Sequence, residues 1–500
     1  MPFTPERGAP TPPIALADAA GATARLGATH VEVTDDLVRR LGDACSEVST
    51  DAATLSESSR DWWPLAMHWA LAHEVPARAG VVARPANADE VAAVLRVCSA
   101  ATVPVTVAAG RSGVCGASIP VHGGVVLDLC RLDGIVDVDR TSMVVDVRAG
   151  MFGDVFEDTL RSEHAITCGH WPQSIALSTV GGWLACRGAG QLSTRYGKIE
   201  DIVTGLDVVL ADGRSIHTGG APRSAVGPDL TQLFVGSEGT LGVITGARLR
   251  AHPLPPAERR AAYGFTGFAN GLEACRRILQ RDGTPAVLRL YDSTEANRSY
   301  QTGERSVLLV LDEGDAGIVD ATMAIVAQEC AAAEPLDAGL LDRWLEHRND
   351  VSALEALTRR GVVVDTMEIA GRWRDLPRIY ERAREAILGV EGALVASAHQ
   401  SHSYRDGACL YFTFAGNAGD NPPDVFYRAA WDAGTRAVLA EGGALSHHHG
   451  VGLNRARFVQ EALGDAFAVL VAAKHALDPD GILNPGKLGL PDPWGGPAWP

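Results

Sequence analysis

The spacing of hydrophobic positions changes character along this chain, and each change predicts a different kind of element. From Asp35 to His73 the pattern predicts a helical segment, with Trp62 and Trp63 packed or set beside a ligand entrance. From Ala79 strands alternate with helices. Gly80–Ala83, Val103–Val107 and Val125–Leu129 read as strands, the second because β-branched residues crowd it. Asn87–Ala100 reads as a helix whose first turn carries Asp89 and Glu90, the charges a helix N-terminus favours. Gly134–Val138 and Met143–Arg148 predict a hairpin joined at residues 139–142, and Ile202–Leu210 and Ile244–Arg250 are later strands.

The proline-rich stretch from His252 to Pro256 breaks this pattern and predicts a domain boundary. Beyond it come strands at Ala262–Phe265, Ala286–Tyr291, Ser306–Asp312, Val362–Glu368, Ala393–His399 and Ala408–Phe414. Helices are expected at Gly267–Gln280, Ala316–Ala333, Asp375–Leu388 and Asp424–Leu439. That order predicts an antiparallel sheet with helices on one face, hence an α+β fold. The region from Phe458 to Leu490 reads as a helix and then a turn at residues 478–481. The expected organisation is an N-terminal tail and helical segment over 1–75, a first domain over 76–254, a cap over 255–441, and a returning tail over 442–500.

Composition narrows the function. At 500 residues the chain exceeds one ordinary core, which fits more than one domain. A formal charge of −17 argues against nucleic acid as a partner, because phosphate binding needs a basic surface. The stretch from Met1 to Ala17 lacks an apolar core and reads as a frayed tail rather than a signal peptide. No apolar run is long enough to span a bilayer. The nine cysteines are scattered without a CxxC pair, which fits reduced thiols and a cytoplasmic setting.

Two kinds of segment carry candidate chemistry. Glycine-rich turns come first. Gly110, Arg111, Ser112, Gly113 and Val114 follow a strand, and such a turn can aim backbone N–H groups at one anion, as a pyrophosphate requires. It is neither a Walker loop nor a GxGxxG fingerprint. Residues 172–190 are rich in small and hydroxyl side chains that can thread beside a flat ring. The second kind is the run His447-His448-His449 between glycines at 443 and 450. Imidazole is the side chain most easily tuned to move protons near neutral pH, and three adjacent rings cannot all face one metal ion.

In order and spacing, Gly110–Gly116, Pro172–Gly190, Tyr196–Gly213 and Gly227–Thr245 resemble the FAD-binding domain of flavoenzymes of the vanillyl-alcohol-oxidase, or p-cresol-methylhydroxylase (PCMH), type. The resemblance implies FAD contacts from Gly110, Arg111, Ser112, Gly113, Val114, Gln173, Ser174, Ser178, Thr179, Gly182, Arg187, Gly188, Glu238, Gly239, Thr240, Gly242, Val243 and Ile244. Many relatives have glycine where Arg111 stands and proline where Val107 stands. The first turn lacks the histidine to which some relatives tether flavin, so non-covalent FAD is expected. Cys115 and Cys186 are read as packing residues.

Within that superfamily the chain resembles the alkylglycerone-phosphate synthases from about Val48 to Leu490, through the triple histidine, Gly407–Phe414 and Leu288–Asp292. The resemblance implies proton transfer by Tyr411, His447, His448 and His449, an active-site role for Arg289, and no metal. Read without it, Tyr411 is a half-buried sheet tyrosine, Arg289 an ion-pair partner of Asp292, and Glu368 a surface residue of a cap strand. Two departures stand out. Leu354 falls where the synthases carry the arginine that grips substrate phosphate, and Leu453 falls where they carry a basic residue. The expected substrate is therefore small or lipid-like and without phosphate at that place, and a homodimer is left open. The competing reading is an FAD-dependent dehydrogenase or oxidase of 2-hydroxy acids or alcohols.

Overall fold

The computed structural model describes residues 5–498 other than 17 and 24, and not the side chains of 352 and 353. Three larger sheets organise the chain. Val81–Ala83, Val125–Asp128 and Val105–Ala108 pair in parallel in that order, with Val48–Ser49 antiparallel at one edge. A five-stranded antiparallel sheet runs Ser215–His217, Val203–Val209, Val243–Arg250, Val144–Arg148, Ile135–Asp139. The expected hairpin is its edge, closed by Asp139 Oδ1 accepting from the N–H groups of Thr141 and Ser142, each at 2.9 Å.

The third sheet is the cap. Its order is Glu334–Leu336, Ala257–Phe265, Ser306–Gly314, Val287–Tyr291, Ala393–Ser403, Gly407–Gly416, Val363–Arg372, antiparallel throughout. Helices Phe268–Gln280, Ala316–Glu329, Leu376–Leu388 and Pro423–Ala440 bury their apolar stripes against one face, where Leu290, Val310, Met367, Leu410 and Phe412 point. Large apolar side chains so buried contribute roughly 1.5–3 kcal/mol each. Alternation along each strand then leaves the opposite face free for polar groups.

Two expectations needed correction. The segment Asp35–His73 is three short helices, Asp35–Ala44, Ala52–Glu57 and Pro64–Leu71: Thr34 caps the first, and the cap at Asp51 and the proline at 64 start the second and third. Trp63 is fully buried, edge-on to Trp69, and donates to the Tyr427 hydroxyl at 2.8 Å. The stretch read as a frayed tail is packed over its described part: Ile14 is buried, and Trp62 Nε1 donates to the Thr11 carbonyl at 3.0 Å. Met1 to Thr4 and Ala17 lie outside the described residues. All nine cysteines are unpaired thiols, and no helix among the described residues is long and apolar enough to cross a membrane.

Candidate active site

One large cavity, about 920 Å³, lies between the polar face of the cap sheet and the glycine-rich turns. Gly110, Arg111, Ser112, Gly113 and Val114 form one stretch of its wall. Arg111 takes a left-handed backbone, φ 52°. Among the described residues, no hydrogen bond is donated by the five backbone N–H groups from Gly110 to Val114. A row of unsatisfied donors facing a cavity is costly unless a ligand or water accepts from them, and an anion suits a concave row best. Gly110 has no room for a side chain, since a Cβ there would collide with the Leu177 carbonyl. The Arg111 guanidinium is held by Asp128 at 3.1 Å, so it braces the turn. This donor set fits the pyrophosphate of FAD.

The rest of the expected flavin contacts divide into two groups. Gln173, Ser174, Ser178, Thr179, Gly182, Gly188, Glu238, Gly239, Gly242 and Ile244 line the cavity. Arg187, Thr240 and Val243 do not. Arg187 caps the Val180–Cys186 helix in a left-handed conformation and pairs with Glu200 at 3.4 Å. Thr240 spends its hydroxyl on the Ser237 carbonyl at 2.7 Å, and Val243 is fully buried in the core under the parallel sheet, with Val105 and Val125. Cys115 and Cys186 both touch the cavity, and burial pushes both thiols up, Cys186 to about 12, so neither is a thiolate nucleophile.

Strand register builds the opposite wall. Tyr291 pairs with His399, His399 with Tyr411, and Tyr411 with Glu368, so four residues align across four strands. The His399 and Tyr411 rings stack at 4.8 Å. Arg289 donates to Tyr291 Oη at 2.8 Å and to His399 Nε2 at 2.6 Å, and His399 Nδ1 meets Glu295 at 2.8 Å. An acceptor toward Arg289 and a donor toward Glu295 fix His399 as the neutral Nδ1–H tautomer. Burial, and then Arg289, hold it down to about 4, consistent with that assignment. Arg289 makes no ion pair with Asp292, which instead caps the Ser293–Tyr300 helix. The Tyr411 hydroxyl donates to Thr366 at 3.0 Å, and burial keeps it a phenol by pushing its pKa up.

The histidine run is suspended between two buried carboxylates. Glu368 Oε1 accepts from Ser446 Oγ at 2.7 Å and from the N–H groups of His448 and His449 at 3.0 and 2.6 Å. Its other oxygen pairs with Arg455 at 2.5 Å, and both side chains are fully buried. Burial raises the Glu368 carboxyl, but Arg455 outweighs it and brings it down to about 2. Glu238 accepts from the N–H groups of Val451 and Gly452 at 2.5 and 2.9 Å, which ties the loop to the opposite cavity wall. Lys198 adds a bond to the His447 carbonyl at 2.7 Å. His448 and His449 line the cavity, while His447 sits behind them against Tyr404 Oη at 2.8 Å. Burial lowers the pKa of all three, His449 to about 4. His449 Nδ1 is buried with no hydrogen-bond partner among the described residues.

Sequence reasoning missed several groups here. A surface position was one reading of Glu368, yet it is fully buried, in register opposite Tyr411 and beneath the histidine loop. Arg455, Glu295, His399 and His402 were not singled out. Alternation in Ser397–Ser403 was a usable signal, because it puts His399 and Ser401 on the face that carries Tyr411. Cys409 Sγ and ring nitrogens of His447 and His448 also lie within 4.8 Å of one another, a donor set that the expectation of no metal did not foresee.

Fold, cavity and donor row together define a PCMH-type flavoenzyme with FAD as its cofactor. Comparison with known proteins agrees. Residues 79–219 match the FAD binding domain family, and residues 254–488 match the C-terminal domain of FAD linked oxidases. The chain belongs to the FAD-linked oxidoreductases: it is 30% identical over 483 residues to an uncharacterized FAD-linked oxidoreductase, YgcU, of Escherichia coli strain K12, covering 92% of this chain and 98% of that one. It is 28% identical over 448 residues to alkyldihydroxyacetonephosphate synthase of Dictyostelium discoideum, covering 82% of this chain and 73% of that one. The solved structure of p-cresol methylhydroxylase with substrate bound shares its fold, with a TM-score of 0.74 at 17% identity, over 93% of this chain and 99% of that one.

Proposed function

We propose that the protein is a synthase-like FAD enzyme that exchanges an oxygen substituent on a small or lipid-like carbonyl substrate, with its FAD bound non-covalently. What supports this reading is the convergence of Tyr411, His448, His449 and Arg289 on one cavity with the flavin-facing glycines. FAD, when bound, supplies at its ring N5 a centre that takes up and returns an electron pair. The chain's own residues handle protons and charge. In the exchange a C–O bond to an acyloxy group breaks and a C–O bond to an incoming alcohol forms, with no net redox change. His449 is held neutral and has an unpartnered nitrogen, so it suits taking the alcohol proton. Tyr411 is held protonated and suits giving one to the departing group. Arg289 places a permanent charge beside developing negative oxygen.

The second reading is oxidation of a 2-hydroxy acid or alcohol. The cluster of Cys409, His447 and His448 favours it, since a metal ion drawn there would sit directly behind the cavity wall. One experiment separates the two. The FAD-loaded protein is mixed anaerobically with acylated dihydroxyacetone, phosphorylated or not, plus an alcohol, and separately with 2-hydroxy acids. Ether product with the flavin oxidised at start and finish is expected. Bleaching by a hydroxy acid without ether product overturns the synthase reading. Acid precipitation should also leave all yellow colour in the supernatant; colour in the pellet contradicts non-covalent binding.

A further inference from the structure

Leu354 lies on the cavity wall with Val351 and Leu357, so that part of the wall is apolar and offers nothing to an anion. The helix just before it is different. Arg343, Trp344, His347 and the C-cap Arg348 all line the same cavity, with Arg343 neighbouring His347 and Trp344 neighbouring Arg348 at a spacing of four residues. Among the described residues, neither Arg343 nor Arg348 has a carboxylate within 4.0 Å, and the same holds for Arg289. Arg348 lies instead over two indoles, 5.0 Å from Trp171 and 5.5 Å from Trp344. Arg289 lies 6.0 Å from the same Trp344 ring, and Arg343 lies 5.6 Å from Tyr300.

The carboxylates nearby are already engaged. Glu313, the acid that acts most on Arg348, accepts from Tyr196 Oη at 2.7 Å, and Asp350, which also lines the cavity, has a partner of its own. Glu295 holds His399 and Arg298, Asp365 accepts from Trp431 and Tyr427, and Glu238 holds the histidine loop. Burial lowers the Arg348 pKa, and Glu313 and Glu258, neither within ion-pair distance, only partly offset it. A cation so placed is costly unless an anion joins it, and indole faces orient the planar group while leaving its donor edge free.

We propose that Arg348, with Arg343 at the mouth and Arg289 further in, forms an anion subsite that takes a carboxylate or phosphate carried by the substrate. This deepens the proposed function: the anion is held from the helix preceding Leu354, not from position 354 itself. The test measures binding, not turnover, so it can fail separately from the synthase reading. The FAD-loaded protein is titrated with hexanoate, hexyl phosphate and hexanol, followed by flavin absorbance and calorimetry. Both anions, or one of them, should bind at least about tenfold more tightly than hexanol, and which one does so identifies the headgroup. Arg348→Met should remove most of that preference with FAD content unchanged, Arg348→Lys should keep part of it, and Arg343→Met should weaken it less. Equal binding of all three probes to the unaltered protein overturns the proposal. So does an anion preference that survives Arg348→Met and disappears only in Arg289→Met.

Discussion

The two walls of the cavity are built from different materials. The wall read as flavin-holding is largely backbone: five consecutive N–H groups without partners among the described residues, and a glycine at 110 pressed against a carbonyl. The cap wall is side chains set by strand register, from Tyr291 through His399 and Tyr411 to Glu368. A backbone site changes little when side chains drift, because its donors belong to every residue. A side-chain site can be retuned by one substitution.

The largest effect should come from breaking the backbone wall. Gly110→Val forces a side chain into the Leu177 carbonyl, so the purified protein should be nearly colourless and take up no FAD. Arg111→Met, on the same turn, should retain FAD, and full retention in both variants would refute the backbone account. Next in size is the carboxylate beneath the histidine loop. Glu368→Gln leaves Arg455 buried without its charge partner, a loss of about 3–5 kcal/mol in unfolding free energy. The pH dependence follows from the sign of the shift. The folded carboxyl lies near 2 and the ordinary value is 4.5, so its stabilisation is complete above about pH 4.5 and lost as pH falls toward 2. Thermal melts between those limits should lose that slope in Glu368→Gln. Smaller again is Leu354→Arg, which adds a second cation to the wall beside the proposed Arg348 subsite and should strengthen binding of the phosphorylated ketone by roughly tenfold. No gain would show that the anion lies out of reach of position 354.

Legibility followed the same division. Gly110–Gly116, residues 172–190 and Glu238–Ile244 could be read in sequence because tight backbone demands glycine and small residues at fixed spacing. The strands of the cap were readable from alternation, though several extend further than their apolar runs, as Ala257–Phe265 does. What register brings together was not readable. Glu368 and Arg455 are 87 residues apart, and Arg289 and His399 are 110 apart, so no local pattern links either pair. The helical reading of Asp35–His73 holds for three separate helices, and the breaks between them come from local signals, the cap at Asp51 and the proline at 64.

The division of labour between the two walls is tested most directly on Tyr411→Phe, which keeps the ring stacked on His399 and removes one hydroxyl. FAD content and single-turnover rate are measured together on the ether-forming exchange. The account predicts full FAD occupancy with a rate lower by about a hundredfold or more. An unchanged rate, or loss of the flavin along with the rate, would contradict it.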